Sequence, residues 1–410
     1  MIKKAIVIGG GPAGMIACGR LAEGIEKVIL IEKNKFLGKK LRITGKGRCN
    51  ITNNADIEDF IKNVPTNPRF LYSAFYRFTN DDIINLLNEY GVKTKVERGE
   101  RVFPQSDSAK DVADALKKYA LKKNVQWVMA EATEIIAEDG VIKGVKTTKG
   151  EIFADAVILA SGGKSYPLTG SDGKGYKIAE KLGHTIIPPK PSLIPVITYE
   201  KWVKDLMGLG LKNIGVVVKN KKNKKVYEDF GELLFTHFGV SGPVILSASA
   251  HMRDVEKEEY KIEIDLKPAL DFEKLDKRIQ RDFLGFKNKH IINALDELLP
   301  RALIPIVITL SEIDAHKPVN EITSEERQNL IKTIKSLTVT AKEFRPIEEA
   351  IITSGGIKVA EINPSTMESK LVKGLYFAGE VIDVDAYTGG FNLQIAYSTG
   401  YLAASSIAEI

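Results

Sequence analysis

Cysteine is nearly absent: the chain of 410 residues has two, Cys18 and Cys49. Two thiols cannot build a disulfide framework or a thiolate-rich metal site. The five histidines, His184, His237, His251, His290 and His316, show no ligand spacing such as H-x-x-x-H, so no metal site is expected. No apolar run approaches the roughly 20 residues that a membrane helix needs. Two lysines ahead of an apolar stretch at the N-terminus mimic a signal peptide. Three glycines and a proline break that stretch, so it reads as a strand and a turn. Charge of one sign is also scarce. The net charge is +6, and much of it comes from the lysine-rich segment 219–225, which reads as a solvated hairpin tip rather than a nucleic-acid contact. Apart from that segment there is no low-complexity tract, and there is no internal repeat. A cytoplasmic enzyme of two or three domains is the expectation, with its oligomeric state open.

What is present is concentrated at the start. Lys4-Ala5-Ile6-Val7-Ile8 is a short apolar, β-branched run, as expected of a buried parallel strand. It enters Gly9-Gly10-Gly11-Pro12-Ala13-Gly14 and then a helical segment, and a second strand, residues 27–31, ends at Glu32. In that context Gly9-x-Gly11-x-x-Gly14 is a dinucleotide fingerprint. Gly9 permits the tight turn, Gly11 lets backbone touch a pyrophosphate, and Gly14 lets helix and strand pack closely. The helix opens at Pro12, which has no N–H, and its free N–H groups from Ala13 onward face the anion. Glu32 is placed to accept hydrogen bonds from an adenosine ribose.

The next loop, with Lys33, Lys39, Lys40 and the run Thr44-Gly45-Lys46-Gly47-Arg48-Cys49-Asn50, is rich in glycine and cations. It has no helical or strand period and can run along a bound dinucleotide. Helices are expected near 57–63, 68–75, 80–90 (capped by Asn80) and 108–121 (capped by Asp107 or Ser108). Arg101 precedes the last of these. Strands are expected at 125–129, at Ile135 and Ile136 beyond Ala132, and in a hairpin around 141–147. A buried strand, 156–160, ends in Ser161-Gly162-Gly163. Three prolines in Pro188-Pro189-Lys190-Pro191 mark the exit from a first domain. β-rich pieces follow to about residue 270, then a helical period over 271–337 with Phe272, Leu275, Ile279 and Phe283 on one face. A capping box at Thr323-Ser324-Glu325-Glu326 opens the last helix there. Dinucleotide-domain character returns from Leu371: a short strand ends at Gly379-Glu380, and Gly389-Gly390-Phe391-Asn392-Leu393-Gln394 opens an apolar C-terminal helix.

The expected organisation is therefore 1–190 and 371–410 for one dinucleotide-binding domain. It is interrupted by a β-rich part (191–270), a helical part (271–337) and a returning β segment (338–370). A dinucleotide fold split by a large insertion, with a glycine-opened helix at its far end, is the layout of an FAD protein. That helix's amides, with Gly390, Asn392, Leu393 and Gln394, would face the pyrimidine edge of the flavin, where negative charge appears on reduction.

Four runs carry a wider resemblance: Thr44–Asn50, Leu-Phe-Thr-His-Phe-Gly-Val-Ser-Gly-Pro at 234–243, Thr366-Met367-Glu368-Ser369-Lys370, and 374–394. On these the chain resembles, over essentially its whole length, the bacterial flavoprotein family that includes aminoacetone oxidase and 3-dehydro-bile-acid Δ4,6-reductase. The resemblance implies an α/β fold. Its core is a Rossmann-like FAD-binding domain of the glutathione-reductase kind, interrupted by a β-barrel-like domain and a helical subdomain. It fixes the cofactor better than the substrate.

The absences then narrow the chemistry. Cys49 stands alone, with Asn54 five residues on, so thiol–disulfide exchange is not expected. No second strand–glycine–helix fingerprint exists for NAD(P)H, which could act only as a transient electron donor. Lys164 and Tyr166, beyond the Gly162-Gly163 strand end, and His237, in the insertion, are the candidate proton donors or acceptors. Arg48 and Arg101 are cations for phosphate or flavin. The leading expectation is NAD(P)H-linked reduction of an activated C=C bond in a small apolar substrate. The alternatives are oxidation of a small amine with oxygen as acceptor, and a non-catalytic flavin-binding or RNA-interacting protein.

Overall fold

In the computed structural model, residues 2–252, 254–287 and 289–409 are described. The chain divides into two units: residues up to Ser192 together with those from Pro346 onward, and the intervening Leu193–Arg345.

The elements of the first unit used below are, in chain order, β1 (Lys4–Ile8), α1 (Pro12–Leu21), β2 (Lys27–Glu32), β3 (Thr52–Asn53), α2 (Ala109–Ala120), β4 (Val125–Met129), β5 (Ala156–Leu159), β6 (Ile186–Ser192), β7 (Ile352–Ile357), β8 (Leu375–Phe377) and α3 (Phe391–Ala408). Five of the strands form one parallel sheet in the order β8-β5-β1-β2-β4, with Ile6 beside Val157 on one side and Ile29 on the other. Ala5, Ile6 and Val7 are completely buried, as are all four residues of β5. Runs that are apolar on both faces need helices above and below them, which is why parallel sheets read without alternation. α1 and α3 supply one such layer. They pack so closely that a Cβ on Gly400 would stand 2.4 Å from the Ala13 carbonyl oxygen. The first and last segments of the chain thus share one core.

Two small three-stranded antiparallel sheets also belong to this unit. One joins β3 to Arg101–Pro104 and Thr94–Glu97, and the other is the meander Ala132–Glu138, Val141–Thr147, Gly150–Phe153. The meander's first turn is Asp139-Gly140, both at positive φ, as a two-residue hairpin requires. Helix caps correct one expectation. Thr79, not Asn80, caps the helix Asn80–Glu89, because Asp82 lies three residues after Thr79 and closes a capping box. Ser108 caps α2. The three prolines at 188–191 lie inside β6, which pairs antiparallel with β7. Their missing N–H groups are accommodated by a register slip between Ile187 and Lys190.

The second unit is a closed six-stranded barrel, in the order Val196–Thr198, Gly239–Ser241, Lys225–Phe235, Gly210–Asn220, Tyr260–Asp265, Leu337–Phe344. Tyr260–Asp265 alternates as its sequence does, with Ile262 and Ile264 inside. Helices Phe272–Gly285, Ile304–Leu310 and Ser324–Lys335 share the barrel's hydrophobic core. Thr323 and Glu326 form the expected capping box. Leu275, Ile279 and Phe283 are buried, whereas Phe272, at the first helical position, is 54% exposed. No described helix is long and apolar enough to cross a membrane.

Candidate functional site

In open α/β sheets ligands bind beyond the carboxyl ends of the strands, where the strand order reverses; here that place lies between β1 and β5. The glycine loop stands at that end. Gly9 has φ +106°, and a Cβ there would lie 2.4 Å from the Ala160 carbonyl oxygen. A Cβ on Gly14 would lie 1.9 Å from the Gly9 carbonyl oxygen, so helix and strand meet backbone to backbone. Gly11 is different: its backbone is extended, and a Cβ there would meet nothing within 4 Å. It borders open space. Pro12 occupies the first turn of α1, Ala13 follows, and no side chain caps the helix. The first N–H groups of α1 therefore lack intrahelical acceptors and face that space.

Glu32 closes the loop's edge. Its Oε2 accepts the Gly10 N–H at 2.7 Å, and its Oε1 accepts the Asn34 N–H and Asn34 Nδ2, both at 2.7 Å. Oε2 keeps a lone pair for a ribose hydroxyl. Lys33 is paired with Asp172 at 2.8 Å, and Lys39 Nζ donates to the Leu168 carbonyl at 2.6 Å. Lys40 Nζ donates to Glu380 Oε2 at 2.6 Å and to Ser165 Oγ at 2.7 Å. Glu380 Oε1 also receives Ser165 Oγ and the Thr353 N–H, each at 2.9 Å. Gly163 is wedged against this group, and a Cβ on it would stand 2.6 Å from Glu380 Oε1. Gly379, at φ +74°, donates its N–H to Thr399 Oγ1 on α3.

The loop 44–50 is held in a left-handed path, with Gly45, Lys46, Gly47 and Cys49 all at positive φ. Thr44 Oγ1 donates back to the Leu41 carbonyl. Arg48 lies over the Phe103 ring and is ion-paired with Glu97 and Asp107, so its charge is spent within the protein. Arg101 donates to the Arg98 carbonyl. Cys49 is fully buried, and burial pushes its thiol up to about 12, with a Thr44 hydrogen bond opposing. The Tyr397 hydroxyl, whose pKa burial pushes well above its usual range, has no partner among the described residues, and neither has Asn50 Oδ1.

α3 opens without a side-chain cap, from Gly390 at φ +100°. A Cβ on Gly390 would lie 2.4 Å from the Thr52 carbonyl. Asn53 Nδ2 donates to the Gly389 carbonyl and Thr52 Oγ1 to Gln394 Oε1, fastening β3 to this helix end. The side chains of Asn392 and Gln394 are engaged within the protein: Asn392 holds Ala386 and Tyr387, and Gln394 holds the Phe78 carbonyl and Ser398. What faces outward at the helix start is backbone N–H, with Leu393 half-buried beside it.

Lys164 is exposed, and its N–H donates to Thr353 Oγ1 at 2.8 Å. Tyr166 is half-buried at φ +51°, a conformation rare for a bulky residue. Ala132 begins the meander and is half-buried. His237 is exposed in the second unit, edge-on to Phe238. Ser165, Thr353, Thr52 and Asn53 are site residues that sequence reasoning missed. Thr52 and Asn53 directly follow the Thr44–Asn50 run and were within reach, but nothing local signals Thr353.

These residues fit FAD. Open space lies over Gly11, two helices start uncapped, and Asn50 Oδ1 and Ser161 Oγ are buried without a partner among the described residues. Gly162, at φ +77°, follows that serine.

The chain matches the HI0933-like protein Rossmann domain over residues 3–406. It is 31% identical over 412 residues to the 3-dehydro-bile acid delta(4,6)-reductase of Clostridium scindens, covering 98% of each chain. It is 30% identical over 403 residues to the ribosomal RNA dihydrouridine synthase of Escherichia coli, covering 98% of this chain and 97% of that one. Among solved structures, the 3-ketosteroid delta1-dehydrogenase of Sterolibacterium denitrificans has the same fold. Its TM-score is 0.53 at 12% identity, over 99% of each chain. The glycine cradle, the acid after β2 and the uncapped C-terminal helix belong to a chain that is a member of the HI0933-like family, an FAD-dependent oxidoreductase.

Proposed function

We propose that the protein saturates a carbon–carbon double bond conjugated to a carbonyl group in a small apolar substrate, with NAD(P)H as the transient electron donor. The observation that carries this reading is the full-length likeness to two relatives whose names share one chemistry. Dihydrouridine is uridine with a carbonyl-conjugated bond saturated, and a delta(4,6)-reductase of a 3-dehydro bile acid is named for double bonds beside a ketone. The site supports it by lacking reactive thiols: burial pushes both Cys18 and Cys49 well above the usual thiol range.

Saturating such a bond adds a hydride to one carbon and a proton to the other. Bound FAD supplies the hydride chemistry. The chain's residues do the rest. Gly11 and the N–H groups of α1 would hold the pyrophosphate and Glu32 the ribose, and the N–H groups opening α3 would offset negative charge on the flavin. Lys40 and Glu380, paired at 2.6 Å, tie the loop after β2 to the end of β8. Tyr166 and Lys164 are this unit's candidates for the proton. Tyr166 is preferred because it is half-buried just beyond the Gly162-Gly163 strand end, with its backbone held in a left-handed conformation.

A small substrate is favoured over RNA by the charges around the lysine-rich tip. Of its five lysines, Lys219 is paired with Glu263 and Lys225 with Glu228. Asn220 lies opposite Tyr260, which follows Glu256, Glu258 and Glu259 in the sequence. Two of the five charges are thus compensated, which weakens the tip as a basic patch. The test is anaerobic mixing of holoenzyme with NADH or NADPH, which is expected to bleach the flavin's visible band. No bleaching by either, with rapid bleaching by a small amine such as aminoacetone, would replace this reading with an amine oxidase.

A further inference from the structure

Asp385 is a carboxylate that the site described above does not use. It is 1% exposed. Ser192 Oγ donates to its Oδ2 at 2.8 Å and Ser354 Oγ to its Oδ1 at 2.9 Å, and among the described residues no cation lies in ion-pair range. Burying a carboxylate with only hydroxyl partners is costly, and a neutral side chain of similar shape would fit at less expense.

Its location suggests what the charge is for. Ser192 ends β6, Ser354 lies on β7, and Asp385 stands in the connection from β8 to α3. β7 is held at two successive residues. Glu380 receives the Thr353 N–H, and Asp385 receives the hydroxyl of the next residue, Ser354. A Cβ on Gly356 of the same strand would stand 2.6 Å from the Val381 carbonyl oxygen, so strand and connection are in direct contact. One residue beyond Asp385, Ala386 is fastened to the first turn of α3. Its N–H donates to Asn392 Oδ1 at 2.9 Å, and its carbonyl accepts from Asn392 Nδ2 at 2.6 Å. A continuous set of bonds thus runs from β6 and β7 through Asp385 and Ala386 to the open end of α3. That end carries the partial positive charge of the helix.

We propose that Asp385 is a positioning residue that fixes the opening of α3 through the Ala386–Asn392 contact, and that its negative charge offsets the positive field there, holding down the reduction potential of the bound flavin. The proposal rests on FAD lying against that helix end. Asp385→Asn keeps the shape and removes the charge. Reductive titration of the purified holoprotein against a redox dye is expected to give a midpoint potential more positive than wild type, with FAD still bound. An unchanged potential would overturn the proposal, since a purely structural aspartate would not move it. If Asp385→Asn retains no FAD, the double variant Ser192→Ala/Ser354→Ala decides: without its two donors the buried carboxylate is harder to keep ionised, so the midpoint potential is expected above wild type. An unchanged or lower potential overturns the proposal. Wild-type protein that takes up no FAD would refute the cofactor assignment itself, a separate and visible failure.

Discussion

Gly11→Ala separates the demands of the ligand from those of the fold. Its backbone is extended, in a region open to every residue, and a Cβ would meet no protein atom within 4 Å. The folded chain therefore has no reason to resist the substitution. Fewer unfolded conformations should even stabilise it by about 0.4–1 kcal/mol. The added methyl projects into the space assigned to the pyrophosphate and holds it away from the amides at the start of α1. Losing two hydrogen bonds to a charged group, at roughly 1.5–3 kcal/mol each, costs about 3–6 kcal/mol. That is a drop in FAD affinity of about 100-fold or more. Gly14→Ala is the control. Its Cβ would stand 1.9 Å from the Gly9 carbonyl oxygen, so the fold itself should fail. The assays are thermal melting of the flavin-free proteins and fluorescence titration with FAD. Gly11→Ala should melt at or slightly above the wild-type temperature and bind FAD poorly. Wild-type affinity in that variant would refute the placement of the cofactor.

Glu32→Ala should weaken FAD binding by about 1–3 kcal/mol, the worth of lost charged hydrogen bonds, and an unchanged dissociation constant would count against the ribose role. His184 gives a pH dependence. Its buried ring lies 2.9 Å from Ser369 Oγ and 3.3 Å from Glu361 Oε2. Burial lowers its pKa below the usual 6.5, with Glu361 opposing. The unfolded chain then binds the proton more readily, so stability present above 6.5 is lost as the pH falls below it. His184→Gln should flatten the fall in melting temperature between about pH 7 and about pH 5.5, and an identical slope would reject this source.

Legibility in the sequence followed the distance over which each feature is specified. The glycine loop, β1, β2 and Glu32 lie within one short segment, and each residue type there has one conformational use. The Thr323 capping box was readable for the same reason, whereas the hairpin expected around 141–147 proved to be one strand of the meander, its turn lying at Asp139-Gly140. The Thr79 cap was readable too, had the acid three residues on been given its weight. Contacts between distant segments were not. Ser165 and Thr353 reach Glu380 only after the insertion has been looped out. Phe272 fits the apolar face by spacing, yet it sits at the helix start, beyond the reach of the core. Asn392 and Gln394 have amides suited to a ligand, but sequence could not reveal that Ala386, Phe78 and Thr52 engage them first. The Thr366–Lys370 run was recognisable without its use being evident. Met367 is fully buried, and Ser369 Oγ accepts the N–H groups of Leu371 and Val372, so the run shapes the approach to β8.

The most direct measurement concerns the acceptor half of the reaction. Holoprotein photoreduced in the absence of oxygen is mixed with a conjugated enone, and the flavin absorbance is followed while the ketone is analysed. Recovery of the absorbance, with one saturated ketone formed per flavin, is the predicted result. Flavin that stays reduced beside a panel of enones, and reoxidises only when air is admitted, would contradict the account.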